Sequence, residues 1–495
     1  MSSLVFYPTS PKEALVGEFV GKSIRDVPTP AAVMDVAAAR RNCERMLEAV
    51  KELDLGWRAH VKTHKTVELT RLQVGEDLSR PANLIVSTLA EAEMVLPLLQ
   101  EYKSKGRRVN LLYGLPISRG AVARLAEVAK VLGEGGVSLL LDDPAQLAAA
   151  AELKAQSGVA PLAHIKIDMG GRRAGVVESS QRFVQVADAA LEAHGAGSLV
   201  LSGLYSHAGH SYGGDGRAAA MEMLRAEVDA MLSAAERLSQ RAREAGMRLP
   251  ALVVSAGASP TALSVQNLLG GRPDEAPELR AAAARLSELL AAVKAKGHAV
   301  EIHAGVYPTL DLQQLAAHSL ASSRLSWRDI ALTVVAEVHG VYPGRGANGT
   351  DEALIGAGGL ALGREFCKAY DGMAMVTPWG RSGVEMPACD VEDYEGWTVG
   401  RFAQEHGILT WAAGKGRGGG KEEEEEEGEE EKKKTTTTTG PGPQGDAVEA
   451  GQKVRLWPNH ACITSSHFGW YFVVDEDRAG HEDEIVDVWI KARGW

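Results

Sequence analysis

Long apolar runs are missing from this chain. No stretch approaches the roughly 18 consecutive apolar residues of a membrane helix, so a membrane span is not expected. Cysteine is scarce. Cys43, Cys367, Cys389 and Cys462 are scattered along 495 residues and form no disulfide framework, which fits a reducing compartment. The opening stretch "MSSLVFYPTSPKEALVGEF" lacks the basic start and apolar core of a secretory signal, and a cytoplasmic location is expected. An excess of positive charge is also absent. The formal net charge is −12, and "KEEEEEEGEEEKKK" (421–434) supplies −5 of it. The remaining −7 is mildly acidic and disfavours nucleic acid as a partner.

What is present is an ordinary globular balance, 45% hydrophobic and 24% charged, in a chain long enough for two or more domains. One stretch stands apart. Residues 414–447 hold a Gly tract, an acidic block, a basic block, a Thr run and a Gly/Pro stretch. None of these can bury a core, so a disordered surface insertion is expected there. Its "GKGRGGGK" lacks both the spacing of a phosphate loop and a preceding strand.

Ahead of the insertion, short β-rich runs alternate with helical patterns. The strand candidates are "WRAHV" (57–61), "NLIVS" (83–87), "VNLLY" (109–113), "VSLLL" (137–141), "AHIKI" (163–167), "VLSGLYSH" (200–207), "ALVVS" (251–255) and "AVEIH" (299–303). Eight strands separated by helices over about 250 residues match a (β/α)8 barrel. After residue 325 the texture changes to short β-like runs joined by Gly/Pro-rich turns, such as "IALTVVAEVHGVY", "WTVGRF" and "GWYFVVD". The organisation expected is an N-terminal segment (1–29), a barrel (30–325) and a mostly-β domain (326–495) interrupted by the insertion.

The segment "WRAHVKTHKT" (57–66) puts Arg58, His60 and Lys62 on one face of a strand, because side chains alternate along β structure. Barrel interiors are normally filled with Val, Ile and Leu. An inward cationic row therefore costs several kcal/mol unless an anion or a partner compensates it. Lys62 falls at or just past the C-terminal end of the strand, where barrel enzymes place reactive groups. Crowding among cations lowers the pKa of a lysine and frees its amine to attack a carbonyl. An aldehyde cofactor bearing a phosphate satisfies both the amine and the positive field.

Taken together, several motifs resemble one family. "TPAAVMD" (29–35), "RAHVKTHKT", "LYGLP" (112–116), "GLYSHAGHSY" (203–212), "VSAGASPT" (254–261), "EIHAGVYPTLD" (301–311), "PNHAC" (458–462) and the closing "VDVWIKARGW" look like eukaryotic D-serine dehydratases. These group with D-threonine aldolases among the alanine-racemase-like, fold-type III pyridoxal-phosphate enzymes. The resemblance runs from about residue 28 to the C-terminus, outside the insertion and parts of the variable helices. It implies a Schiff base between pyridoxal 5'-phosphate and Lys62, with cofactor contacts from Tyr205 and Tyr212. Tyr205 is the expected partner of the pyridine nitrogen. Thr261 and the backbone at Gly305 and Val306 are expected at the phosphate, where small residues and free N–H groups allow close approach. One departure stands out. Val306 occupies the place where the family motif leads one to expect Asn, which predicts weaker cofactor affinity. Arg173 in "DMGGRRAGV", expected to end a barrel strand, is a further candidate for orienting cofactor or substrate.

The second constellation is "PNHACITSSHFGW". His460 and Cys462 are two apart, so on a strand both face the same way and can share one metal. Imidazole with thiolate suits Zn²⁺ better than Mg²⁺ or Mn²⁺. A packed histidine beside a buried cysteine satisfies the same pattern. The resemblance favours the metal, since the family's dehydratases bind zinc at this pair, whereas D-threonine aldolases place a carboxylate where Cys462 stands. His467, five residues on, is a candidate third group but is expected rather beside the pair or on the surface, and His406 in "EHG" (405–407) is a candidate for the mouth of the site with no assigned role.

The activity the resemblance implies is D-serine ammonia-lyase: β-elimination to pyruvate and ammonia, with Lys62 removing the α-proton and zinc assisting departure of the hydroxyl. Aldol cleavage of D-threonine or D-3-hydroxyaspartate is the alternative, and a non-catalytic pyridoxal-phosphate-binding protein is another. A small-molecule D-amino acid is the expected partner, and a homodimer the expected assembly.

Overall fold

The computed structural model describes residues 8–269, 275–381, 383–387, 391–412 and 446–495. The stretch expected as an insertion lies outside the described residues as far as 445, as does Cys389. Asp446, assigned to that stretch, is held by Arg381, Nη1 to Oδ1 at 2.5 Å.

Each of the eight expected runs is a strand of one closed parallel barrel, β2 (Gly56–His60), β3 (Ala82–Val86), β4 (Val109–Pro116), β5 (Val137–Leu141), β6 (Leu162–Lys166), β7 (Val200–Tyr205), β8 (Val253–Ala256) and β9 (Ala299–Ala304). Helices on the outside return the chain between strands. Val67–Val74 begins at Thr66, whose hydroxyl accepts from Leu69 N–H, and Leu89–Ser104 begins at Thr88 in the same way. The outward side chains, such as Ala59, Leu84, Leu111 and Ile165, are fully buried under these helices and join the main core.

The inward positions are unusually polar. Arg58, Asn110, Ser138, Ser255 and Glu301 are all buried and bond one another across the barrel. Above them Ile85, Leu112, Leu140 and Tyr205 form a small separate apolar cluster.

The second unit is a nine-stranded sheet in the order β11-β14-β13-β12-β15-β10-β1-β16-β17. Its strands are β10 (Leu332–Tyr342), β11 (Glu352–Ile355), β12 (Ala374–Val376), β13 (Gly396–Phe402), β14 (Gly407–Ala412), β15 (Lys453–Pro458), β16 (Trp470–Val474) and β17 (Asp487–Ile490), together with β1 (Ala31–Asp35) from the chain's start. The expectation that the barrel begins at residue 30 is therefore corrected. β1 lies between β10, antiparallel with Ala31 opposite Val335, and β16, parallel with Val33 opposite Phe472. Its five residues are all buried, which suits a central strand of a sheet covered on both faces. Asp35 then caps the helix Val36–Glu52, which carries the chain over to the barrel. The preceding helix Lys12–Phe19 touches both units, packing Phe19 edge-on against Phe472 and pairing Lys12 with Glu68. Among the described residues no helix is long and apolar enough to cross a membrane.

Candidate active site

Lys62 is half-buried, two residues past the end of β2, as its sequence position led one to expect. The row it belongs to divides in role. Arg58 is compensated from within the chain, its Nε donating to Glu301 Oε1 at 2.6 Å and its Nη1 to Asn110 Oδ1 at 2.6 Å. His60 is neutral, because burial, then the charge of Lys62, then His207 and His303 hold it well below the ordinary histidine range. Only Lys62 brings an amine to the C-terminal mouth of the barrel from this row.

The ends of β6 to β9 complete that mouth. Tyr205, the last residue of β7, stacks on His303 of β9 with ring centroids 4.3 Å apart and planes 7° from parallel. His207 stacks beyond His303 at 6.3 Å, its Nδ1 donating to Gly257 O at 2.8 Å. Burial comes first in holding His207 and His303 neutral, and nearby lysine and arginine charges add to it, those of Lys62 and Lys166 among them. Burial likewise raises the Tyr205 phenol above its usual value, so it keeps its proton. Lys166 of β6 lies over the Tyr205 ring at 4.7 Å, and burial brings its pKa down to about 8. Arg173 is exposed, in the loop after β6 rather than at a strand end, but its charge reaches Tyr205, His207, Tyr212 and Lys166.

The loops after β8 and β9 form a cup of small residues. Gly257 has φ +147°, and a Cβ there would fall 2.2 Å from His303 O, so only glycine fits the approach. Gly305 packs against His60, whose Cβ lies 3.3 Å from the place of a Cβ at 305. Val306 is buried, and its N–H donates to Ser259 Oγ at 3.1 Å. Thr261 turns its hydroxyl onto its own loop, accepting from Ala258 N at 2.9 Å and donating to Ala258 O at 3.2 Å. Ser259 therefore shares the cup with Thr261, a role that nothing in its spacing signals. Beneath the cup, Glu227 is fully buried and its carboxyl is pushed up to about 7 by burial, which the Gly257 N–H, the Ser206 hydroxyl and the Ala208 N–H offset only in part.

His460 and Cys462 meet at the same mouth, but the expectation that they share a strand does not hold. β15 ends at Pro458, His460 is extended (φ −138°, ψ 106°), and the helix Ala461–Ser466 starts immediately after it. The cause is local hydrogen bonding. Asn459 is tied to the carbonyls of Glu365 and Gly372, and the buried Asp311 Oδ2 accepts from Ala461 N at 2.8 Å, fixing the first turn of the helix. Cys462 Sγ lies 3.0 Å from Thr63 Oγ1, and His460 Nδ1 bonds Gln313 Oε1. An amide oxygen only accepts, so Nδ1 carries a proton, and Nε2 is the nitrogen left to bind a metal once its own proton is displaced. Burial opposes the charge of His460, but the Cys462 sulfur and Asp311 outweigh it and raise its pKa to about 9. Burial also opposes the Cys462 thiolate, and His460, Lys62 and Thr63 together bring its pKa below the ordinary thiol value.

Tyr212 belongs with this pair rather than with Tyr205. Its ring lies 6.0 Å from that of His460, and Asp311, Cys462 and Ser259 surround its hydroxyl. His467 is exposed, as one of its two expected places allowed. His406 sits in the exposed turn joining β13 to β14, beside Gly358. The nearby "IGAGGLALG" (355–363) props up the helix that carries Cys462, with Leu362 O accepting from Thr464 Oγ1 at 2.7 Å.

The residues fit the expected groups. Among the described residues, His303 Nε2 and Ser211 Oγ are buried without a hydrogen-bond partner, so the mouth offers polar groups that a polar planar ligand can satisfy. The His460 nitrogen and Cys462 sulfur form a donor set suited to zinc. No cluster of three or more His, Cys, Asp or Glu suited to a metal occurs among the described residues. Two protein ligands leave further positions to water or substrate.

Comparison with known proteins agrees with this architecture. The alanine racemase N-terminal domain matches residues 34–273, and the "Putative serine dehydratase domain" matches residues 331–474. The D-serine dehydratase of Schizosaccharomyces pombe is 34% identical over 493 residues, 99% of this chain and 97% of that protein. That of Saccharomyces cerevisiae is 27% identical over 497 residues, 97% of this chain and 99% of the other. Among solved structures, D-threo-3-hydroxyaspartate dehydratase from a Delftia species superposes with a TM-score of 0.66 at 24% identity, covering 96% of this chain and 100% of that one. D-threonine aldolase from Filomicrobium marinum does so with a TM-score of 0.62 at 18% identity, covering 96% and 97%. At those identities the structures speak for the fold alone: a parallel barrel of alanine-racemase type joined to a β domain. With a full-length relative at 34% identity, this chain belongs to the D-serine dehydratase family.

Proposed function

We propose that this chain is a pyridoxal-phosphate- and zinc-dependent lyase that converts D-serine to pyruvate and ammonia by β-elimination. The observation that carries the reading is the 3.0 Å approach of Thr63 to Cys462, which brings the Lys62 segment and the metal pair to one mouth. The full-length relatives named D-serine dehydratase support it.

When bound, pyridoxal phosphate supplies an electron sink at Cα, and zinc supplies a Lewis acid for the leaving hydroxide. Lys62 would anchor the first, and its Nζ takes the proton from Cα. Tyr205, kept protonated by burial, offers a neutral phenol to the pyridine nitrogen, which moderates the sink. Ser259, Thr261 and the backbone at Gly305 and Val306 cradle the phosphate. Tyr212 closes the cup on the side of the metal pair. His460 and Cys462 hold the metal, with Nε2 of the imidazole directed by the Gln313 contact at Nδ1. Tyr205 and His303, both almost fully buried, close off the barrel interior below the mouth. The reading includes a cytoplasmic homodimer, which cell fractionation and size-exclusion chromatography check.

Cys462 favours elimination over aldol cleavage, because a thiolate selects zinc where a carboxylate suits a harder metal. A relative named D-threo-3-hydroxyaspartate dehydratase, 28% identical over 94% of this chain, makes that amino acid the natural second substrate to assay. The deciding experiment gives the purified protein D-serine or L-serine and scores pyruvate, with and without chelation. Pyruvate is expected from D-serine alone, lost on chelation and restored by zinc, with the cofactor absorbance unchanged. Glycine from D-threonine would establish the aldolase instead, and no turnover of any D-amino acid would establish a binding protein.

A further inference from the structure

The segment that carries Lys62 is fastened to the β domain at three successive carbonyls. Thr63 O accepts from Ser465 Oγ, His64 O from Tyr471 Oη at 3.2 Å, and Lys65 O from Ala492 N at 2.8 Å. These bonds hold the segment without any help from the Thr63 side chain. Yet the Thr63 hydroxyl, almost fully buried, is spent on the sulfur of Cys462.

We propose that Thr63 is a positioning residue for the metal centre, its Oγ1–H donating to the Cys462 thiolate from the position next to Lys62. The inference rests on the zinc reading above. A metal-bound thiolate has no proton to give, so the hydroxyl must be the donor in this contact. Such a bond fixes one sulfur lone pair and leaves another directed at the metal, while Gln313 does the equivalent for His460 from the short helix Leu312–Ala316 after β9. Each ligand is thereby oriented from a different strand-to-helix connection of the barrel, although both ligands belong to the β domain. The hydrogen bond also withdraws electron density from the sulfur, which stabilises its lone pairs and tunes how strongly it donates.

The test uses the holoenzyme and zinc itself, with affinity read by competition against a chromophoric chelator. Thr63→Val keeps the shape and deletes the donor, Thr63→Ser keeps the donor, and Cys462→Ala deletes the ligand. Thr63→Val is expected to weaken zinc binding by about 10-fold, the usual scale for an orienting partner, and Thr63→Ser to restore it. With Co²⁺ in place of zinc, the sulfur-to-metal charge-transfer band should move to lower energy in Thr63→Val and return in Thr63→Ser. Unchanged cofactor absorbance reports an intact barrel, and Thr63→Ala replaces Thr63→Val if that absorbance is disturbed. Wild-type affinity and an unshifted band in Thr63→Val, with zinc lost in Cys462→Ala, overturn the proposal and leave the zinc reading standing. Equal losses in Thr63→Ser and Thr63→Val mark a packing effect and overturn it too. A wild-type protein that takes up no zinc, or a Cys462→Ala variant that binds it unchanged, removes the zinc reading and this inference with it.

Discussion

Arg58 and Glu301 face each other inside the barrel, Nε to Oε1 at 2.6 Å, with each side chain only 5% exposed. A carboxylate in that interior would normally protonate, and burial does push Glu301 that way. The Arg58 charge and hydrogen bond outweigh it and keep Glu301 below the usual glutamate range. The carboxylate also accepts from Asn83 Nδ2 at 3.0 Å and Ser255 Oγ at 2.9 Å, so its lone pairs are satisfied. A buried pair this well solvated by the protein forms a polar floor under the mouth.

Glu301→Leu should therefore be severe, because it leaves the guanidinium buried without its counter-ion. The expected loss is about 3–5 kcal/mol. The double variant Arg58→Met/Glu301→Leu should recover most of it, since an apolar replacement of the whole pair removes both desolvation penalties. Urea midpoints of the three proteins decide this. A double variant no more stable than Glu301→Leu would show that Asn110 and Ser255 need the pair in place.

Three lysines compete for the role of anchor, and their surroundings separate them. Lys65 pairs with Glu91 at 3.0 Å, which engages its amine away from the cofactor. Lys166, with its pKa down to about 8, is the chemical rival, but it lies over the face of Tyr205. Lys62→Ala is expected to erase the visible absorbance of the bound cofactor and to cut elimination by about 100- to 10,000-fold, the range for loss of a general base. Lys166→Met should keep the absorbance. The opposite pattern in the two spectra would reassign the anchor.

The barrel was legible because each inward–outward alternation is closed by helix patterns of the right length, and all eight strands fell where β-rich runs stand. β1 was not, since "AAVMD" is as apolar as any barrel strand and only its partners, β10 and β16, reveal its sheet. β11 and β14 escaped too, the first because it has only four residues and the second because it opens on a glycine close behind β13. Lys62 and the His460–Cys462 pair could be singled out as residue types at telling spacings. The groups that orient them could not. Thr63, Gln313 and Asp311 act across 399, 147 and 150 residues of chain, and no local pattern records such distances.

Acid should weaken the fold through its buried histidines. His164 lies in β6 with both ring nitrogens unpartnered among the described residues, and Gly203 leaves the room its ring needs, since a Cβ there would fall 2.6 Å from Cδ2. Burial, then the Arg58 charge, bring its pKa from 6.5 down to about 4. Between those two values the unfolded chain binds the proton that the folded one refuses, so stability rises with pH. The stabilisation is complete above pH 6.5 and is lost as the pH falls through about 4. At about 1.4 kcal/mol per pH unit, that gap is worth about 3 kcal/mol. His164→Met replaces an unpartnered polar ring with an apolar chain, so stability at neutral pH should hold or rise. Its acid limb should flatten by about one proton in urea melts run at stepped pH. An unchanged slope would mean that His164 is charged in the folded protein.

Asp311 ties the barrel to the β domain. It is fully buried, and it caps two helices at once, Oδ1 accepting from Gln314 N at 2.9 Å and Oδ2 from Ala461 N at 2.8 Å. One of those helices follows the last barrel strand, and the other presents Cys462 in its first turn. Asp311→Asn keeps one acceptor and strands one N–H, whereas Asp311→Ala strands both. Each buried unsatisfied donor costs about 1–3 kcal/mol, so the alanine variant should lose about twice what the asparagine variant loses. Zinc affinity should fall in the same order, because the turn that aims Cys462 loses its anchor. Urea midpoints and chelator competition on the two variants measure both quantities. If stability falls while zinc affinity holds, the contacts from Thr63 and Gln313 suffice to aim the pair, and Asp311 serves only the junction between the barrel and the sheet.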